Sequence, residues 1–318
     1  MKFDYIIGNP PYQMEDGGAG ASATPVYNKF IDAVKELDPS VLSLIIPAKW
    51  YSGGKGLDQF RQEMLNDSHI RRLADYTNSL DVFPDADIAG GVCIFVRDKS
   101  YEGGGCHYSN THNGITTKCQ RKLDMFDTFI RYPLAESIIE KTTALKEITL
   151  TDFVSTQKPF GLRTYVKPST EGELLLRYNK GVGPFRKEDV TAGFDMIDKW
   201  KIIISYLSAE HAGQPDKNGQ FRILSTTEKL PPKSICTETY LVAGAFDTEA
   251  EADNYMAYLK TKFVRFLLAQ VVVTQHISKA SFVFVPAQDF TKQWTDEELF
   301  KKYKLTSEEI AFINNMIK

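Results

Sequence analysis

Asn9, Pro10, Pro11 and Tyr12 combine an amide, two prolines and an aromatic ring just beyond the apolar run Phe3 to Ile7 and Gly8. Two prolines fix φ and remove two backbone donors, so such a turn presents carbonyl oxygens and the Asn9 amide oxygen in a rigid arrangement. It offers acceptors without a charge. A planar amino group with two N–H donors fits those acceptors, with the Tyr12 ring stacked on the attached heterocycle. Holding both hydrogens of an aromatic amine draws the nitrogen lone pair out of conjugation and makes the nitrogen a nucleophile. The bland alternative is a stiff turn with an exposed tyrosine.

Other residues carry weaker signals. The stretch Gln13 to Thr24, rich in Gly, Ala and Ser, reads either as a mobile loop over a pocket or as a plain surface loop. Lys49, Trp50 and Tyr51 follow an apolar run and would line the base or phosphate path, or else cap the core. Asp75, Asp85 and Asp87 lack a histidine partner and read as solvated carboxylates, so no metal site is expected.

The elements that must position the turn follow from periodicity. Strands are expected at Phe3 to Ile7, Val41 to Ile46, Ile70 to Tyr76 and Val92 to Val96, and helices at Val26 to Leu37 and Leu57 to Leu65. Strands alternating with helices predict an α/β domain with a mainly parallel sheet and functional loops at the carboxyl ends of its strands. Residues 102–122 read as a hairpin or irregular connection, and a helix is expected from Leu134 to Ala144.

Beyond Leu150 the texture changes to short strands between Gly and Pro turns, at Phe153 to Ser155, Gly161 to Val166, Glu173 to Tyr178, Ile202 to Tyr206, Tyr240 to Ala243 and Phe282 to Val285. A long helix, Thr248 to Ala269, and two short ones, Asp296 to Tyr303 and Ser307 to Ile317, complete an α+β domain. The expected division is 1–122, a connecting helical segment 123–150, and 151–318.

With 318 residues, 42% apolar and 25% charged, the composition is that of a globular chain long enough for two domains. The net charge of -3 points to no partner by itself, so charge must be read by segment. Cys93, Cys106, Cys119 and Cys236 have no metal-ligand spacing and read as reduced thiols. No signal peptide or membrane span is recognisable, and a cytoplasmic protein without membrane partners is expected.

The segment FDYIIGNPPYQ resembles the catalytic motif of the DNA methyltransferases that modify adenine at N6. ATPVYNKFIDAVKEL, LSLIIPAKWYSGGKGLDQFRQEML, VFPDADIAGGVCIFV and the carboxyl-terminal FVFVPAQDFTKQWTDEELFKKYKLTSEEIAFI extend the resemblance over most of the chain, to restriction-modification methylases of the type IIG kind. The resemblance implies a partial Rossmann-like methyltransferase sheet, from the motif strand onward, followed by a target-recognition domain. It implies that Asn9 and the Pro10 carbonyl accept hydrogen bonds from the adenine amino group, that Tyr12 stacks on the base and that Pro11 holds the turn. The methyl donor would be S-adenosylmethionine, and the adenine would be flipped out of the duplex.

In the resembled family a glycine-rich cofactor loop and an acidic residue lie upstream of the motif. Here GGAG (17–20), GGKG (53–56) and GGG (103–105) lack a suitable preceding strand, and TYLVAGAFDTEAEADNYMAYLKTKF offers one glycine where two or three are wanted. The cofactor-binding residues stay unassigned. The expectation is a chain carrying the substrate half, with the donor half on a missing amino-terminal portion or a partner subunit, and inactive without it. No PD…ExK nuclease constellation is found.

Between Lys158 and Lys187, seven basic residues (Lys158, Arg163, Lys167, Arg177, Lys180, Arg186, Lys187) face two acidic ones, Glu171 and Glu173. Interleaved with Phe160, Tyr165, Tyr178 and Phe185, they predict a DNA-reading patch; KPFGLRT resembles a family segment here. Gln275, His276 and Lys279 are weaker DNA-contact candidates. The alternatives are a truncated, non-catalytic DNA-binding module and a methyltransferase acting on a protein glutamine, which uses a similar turn. The basic second domain argues against the latter.

Overall fold

The computed structural model describes residues 3–14, 24–52, 56–112, 114–210, 215–272 and 275–318. The chain divides into two compact units, Met1–Pro133 and Leu134–Lys318, so residues 123–150 are shared between them.

The first unit is a six-stranded sheet built from β1 (Tyr5–Gly8), β2 (Val41–Pro47), β3 (Ile70–Tyr76), β4 (Val92–Asp98), β5 (Cys106–His112) and β6 (Ile115–Arg121), in the order β1-β2-β4-β3-β5-β6. Pairing is parallel for β1/β2 and β3/β5 and antiparallel for β2/β4, β3/β4 and β5/β6. The mainly parallel sheet expected from the element order is therefore a mixed one. After β3 the chain forms only a single 3-10 turn, Ser79–Asp81, and no α-helix carries it across, so β4 returns antiparallel and inserts between β2 and β3. The connection expected at residues 102–122 is the β5/β6 hairpin, which extends the same sheet.

Two helices pack on one face. In α1 (Tyr27–Glu36), Tyr27, Ile31 and Val34 form one stripe at helical spacing. In α2 (Asp58–Asn66), Phe60, Met64 and Leu65 do the same, and Asp58 in the first turn pairs with Arg61 at 2.8 Å. Against them lie Leu42, Leu44, Ile46, Phe95, Leu73 and Tyr108 from the strands, with Trp50, Tyr51 and Phe129 closing the core.

The second unit contains two three-stranded sheets. One has the order β10-β9-β12, from β9 (Trp200–Ser205), β10 (Thr227–Leu230) and β12 (Tyr240–Phe246); the other has β11-β7-β8, from β7 (Leu174–Tyr178), β8 (Gly181–Phe185) and β11 (Ser234–Cys236). Helix α3 (Pro133–Thr143) meets α7 (Ser307–Met316) through buried Glu309, which accepts from Ser137 and Lys141 at 2.8 and 2.7 Å. The expected strands at 153–155, 161–166 and 282–285 are turns and single 3-10 turns instead. The long helix of 248–269 breaks into α4 (Glu249–Lys260) and α5 (Lys262–Ala269). Thr261 turns out at ψ 150 and caps Val264 N, while Asp296, at the start of α6 (Asp296–Lys302), accepts from Lys262 N and Phe263 N.

Candidate active site

Strands β1, β2, β3 and β5 run in one direction, so Gly8, Pro47, Tyr76 and His112 finish at one edge of the sheet, where β4 also begins. Asn9 to Tyr12 leave β1 at this edge. Asn9 and Pro11 are exposed and Pro10 is half-buried. Among the described residues the Asn9 side chain makes no hydrogen bond, so its oxygen and nitrogen are available to a ligand.

Tyr12 is held from behind. Its carbonyl accepts from Val26 N at 3.2 Å, and Met14 N donates to Thr24 O at 3.2 Å, so the two ends of the 13–24 loop close on each other. The loop's middle, residues 15–23, and with it GGAG, lies outside the described residues. The Tyr12 hydroxyl is buried without a partner among the described residues while the residue stays half exposed, so the ring is the part it presents. Burial, with the nearby Cys93 thiol, pushes that hydroxyl up to about 12. Burial likewise pushes the thiol up to about 12, so both groups are neutral near pH 7. Among the described residues Trp50 Nε1 and the Tyr51 hydroxyl are buried without a hydrogen-bond partner.

Trp50 and Tyr51 are fully buried in an aromatic cluster, with ring centroids 4.7 Å apart and Tyr51 4.6 Å from Phe129. They are core residues, and of Lys49–Tyr51 only Lys49 is left half exposed. Asp75 has a structural role too. Buried in β3, it accepts from Arg131 Nη2 at 2.6 Å and Nε at 2.8 Å, from Asn110 at 2.7 Å and from the Tyr108 hydroxyl at 3.0 Å. Asp85 and Asp87 are exposed loop residues. No group of three or more candidate metal ligands occurs among the described residues.

Arg131 was invisible to motif reasoning, being a single basic residue 56 positions from its carboxylate. It also donates to the Gly90 carbonyl at 2.8 Å and lies 5.3 Å from the Tyr51 ring centroid, tying the 77–91 loop to the edge. Gly91, at φ 78, completes that tie. A Cβ there would meet the Tyr76 carbonyl oxygen at 2.1 Å, and the Gly91 carbonyl accepts from Ala48 N at 3.0 Å, where β2 ends. Within the loop, buried Ser79 accepts from Ile88 N at 2.7 Å and donates to Ala86 O at 2.8 Å.

The described glycine clusters do not fit S-adenosylmethionine at this site. Gly103 to Gly105 precede β5 and lie at the opposite edge of the sheet. Of GGKG, only Gly56 is described. Gly244 sits at a bulge inside β12, where a Cβ would meet Phe246 and Tyr255 ring atoms at 2.9 and 3.0 Å; it makes room for packing, not for a ligand.

In the second unit the basic segment separates into two kinds of residue. Arg177 is half-buried, paired with Glu228 at 2.9 Å, with its guanidinium carbon 5.0 Å from the Tyr240 ring centroid. Arg163 pairs with Glu238 at 3.6 Å and Arg186 with Asp189 at 3.0 Å. Lys167, Lys180 and Lys187 are exposed and Lys158 half-buried at a left-handed turn (φ 63), all four without an ion pair among the described residues. Phe160 and Phe185 are core residues, while Tyr165 is 80% exposed. His276 packs on Tyr206 at 4.8 Å between ring centroids.

Residues 1–83 match the model of the Eco57I restriction-modification methylase family. An uncharacterized adenine-specific methylase of Mycoplasma pneumoniae (strain ATCC 29342 / M129 / Subtype 1) is 36% identical over 106 residues, which are 32% of this chain and 25% of that protein. The matched stretch thus spans a quarter of that relative's length. Among solved structures, the type IIL restriction-modification enzyme MmeI in complex with DNA aligns at 8% identity over 99% of this chain and 55% of its own, with a TM-score of 0.46. The type IIG restriction endonuclease BpuSI aligns at 11% identity over 93% of this chain and 50% of its own, with a TM-score of 0.34. The family match and the curated relative bear out the resemblance to restriction-modification adenine methyltransferases.

Proposed function

We propose that this chain supplies the target-amine half of a DNA adenine-N6 methyltransferase. The observation that carries the reading is Asn9-Pro10-Pro11-Tyr12 at the carboxyl end of β1, with the Asn9 amide unengaged. The Asn9 oxygen and the Pro10 carbonyl hold the two amino hydrogens of a flipped adenine, and the Tyr12 ring stacks on the base. Tyr12 is held by its backbone, whose carbonyl is bonded to Val26 N. S-adenosylmethionine supplies the methyl group from residues other than the described glycines. The second unit binds DNA, with Lys158, Lys167, Lys180 and Lys187 on phosphates and the paired Arg163, Arg177 and Arg186 shaping the surface around them.

The donor half docks on β1. That strand pairs only with β2 among the described residues, and its Tyr5 and Ile7 are 72% and 82% exposed. An added parallel strand there would end beside Asn9, and a crevice at such a point is where open α/β sheets bind ligands. Calorimetry of the 318-residue chain with S-adenosylmethionine tests this division: binding weaker than millimolar is expected, and micromolar binding would overturn it.

A further inference from the structure

The sheet of the first unit has a second face that none of its described helices covers. Its residues lie in rows across the strands. One row runs Ile7, Ser43, Val96, Arg72, His107, Gln120, and the next runs Ile45, Ile94, Ala74, Ser109, Lys118. The β1/β2/β4 half is apolar and the β3/β5/β6 half is basic and polar.

On the basic half, Arg72, His107, Lys118 and Gln120 are exposed and Ser109 is half-buried. They line or border a groove of about 530 Å³. Among the described residues Arg72, His107 and Lys118 make no ion pair. Arg71, at the bulge beside Arg72, forms the rim and pairs with Asp98 at 3.0 Å. Residues 103–123, which include the whole hairpin, contain no Asp or Glu. Adjacent strands are about 4.8 Å apart, so the cations spread over about 10 Å of one nearly flat surface.

We propose that this β3/β5/β6 face is a second nucleic-acid contact, gripping the phosphate backbone of a DNA duplex through Arg72, His107 and Lys118, with Ser109 and Gln120 as hydrogen-bonding partners. Phosphate contacts draw on Arg and Lys together with Ser and Gln side chains, the set present here. A protein partner would want a central aromatic or aliphatic anchor, and the other outward residues of β5 and β6 on this face are Ser109, Thr111, Thr116 and Gln120. The contact is independent of sequence and uses residues other than the lysines of the second unit. It rests on the DNA-directed reading above for its choice of ligand.

The test is fluorescence anisotropy of the full chain with a labelled duplex of about 30 base pairs, titrated between roughly 50 and 200 mM salt. The triple variant Arg72→Ala/His107→Ala/Lys118→Ala should bind about tenfold more weakly. Its salt slope should shrink by about 2, since the two lost Arg and Lys contacts each remove about 0.9. Ser109→Glu, which places one carboxylate amid the cations, should weaken binding in the same direction. Unfolding should be unchanged in both, because none of the four side chains is buried. If the wild-type chain binds duplex and both variants match it in affinity and slope, the proposal is overturned, and an acidic protein segment becomes the occupant to seek. If the wild-type chain binds no duplex at all, the DNA-directed reading falls with it.

Discussion

The two faces of the six-stranded sheet are made by the same strands, yet they are finished differently. One face buries Leu44, Phe95, Leu73 and Tyr108 under α1, α2, Trp50 and Phe129, and carries the Asp75–Arg131 pair near the edge that Asn9 to Tyr12 leave. The other places Ile7, Ile45, Ile94 and Val96 beside Arg72, His107 and Lys118 with none of the unit's described helices above them. Period-2 alternation makes this possible, since one strand can satisfy its own core with even positions and present odd ones elsewhere. The covered face fixes the geometry of the turn at Asn9. The open face holds the residues proposed to grip a DNA backbone.

The comparison breaks first, if it breaks, at the buried pair. Arg131→Met leaves the Asp75 carboxylate buried without its cation and should cost about 3–5 kcal/mol. This should register as a loss of hydrogen-exchange protection in β3 and β4; Asp75→Leu/Arg131→Met should cost less than the single change, because no charge is left stranded. Phe60→Ala, which opens a cavity under Trp50, should cost about 3–5 kcal/mol by the same readout.

A smaller effect is expected at His112, whose pKa burial and then the Arg131 charge hold below the ordinary 6.5. The unfolded chain takes up this proton first. The unit's stability should therefore be full above about pH 6.5 and fall as the pH drops through the folded value, and His112→Asn should flatten that part of the profile. The smallest effect belongs to the open face. Ile7→Ser should change the stability of the 318-residue chain by less than about 0.5 kcal/mol, because the side chain is 82% exposed. A cost of the covered-face size would mean the two faces are not different.

Much of the edge that carries Asn9 to Tyr12 was legible in the sequence, because prolines and a preceding strand are local signals. Asn9 to Tyr12 stand where the strand-end reading puts them, and Val41, Ile70 and Val92 begin strands as periodicity predicts. What was hidden depends on partners far along the chain. The insertion of β4 between β2 and β3 is a long-range pairing that element order does not encode. The break at Thr261 is set partly by the Asp296 carboxylate, which caps the second helix from another segment. Charge counting over 158–187 could not show that Arg177 answers to Glu228, nor that Asp75 waits for Arg131. Trp50 read equally as ligand wall or core; its complete burial makes it core.

The central claim is that Asn9 and its turn position an adenine amino group for methylation. Its most direct test is mass spectrometry of nucleosides from DNA of methylation-deficient cells expressing the gene in its full genomic context, beside an Asn9→Ala variant. The account predicts N6-methyladenine with the wild-type gene and its loss in the variant, with the hydrogen-exchange protection of β1 and β2 unchanged. DNA without N6-methyladenine from the wild-type gene, or undiminished N6-methyladenine from the variant, would contradict it.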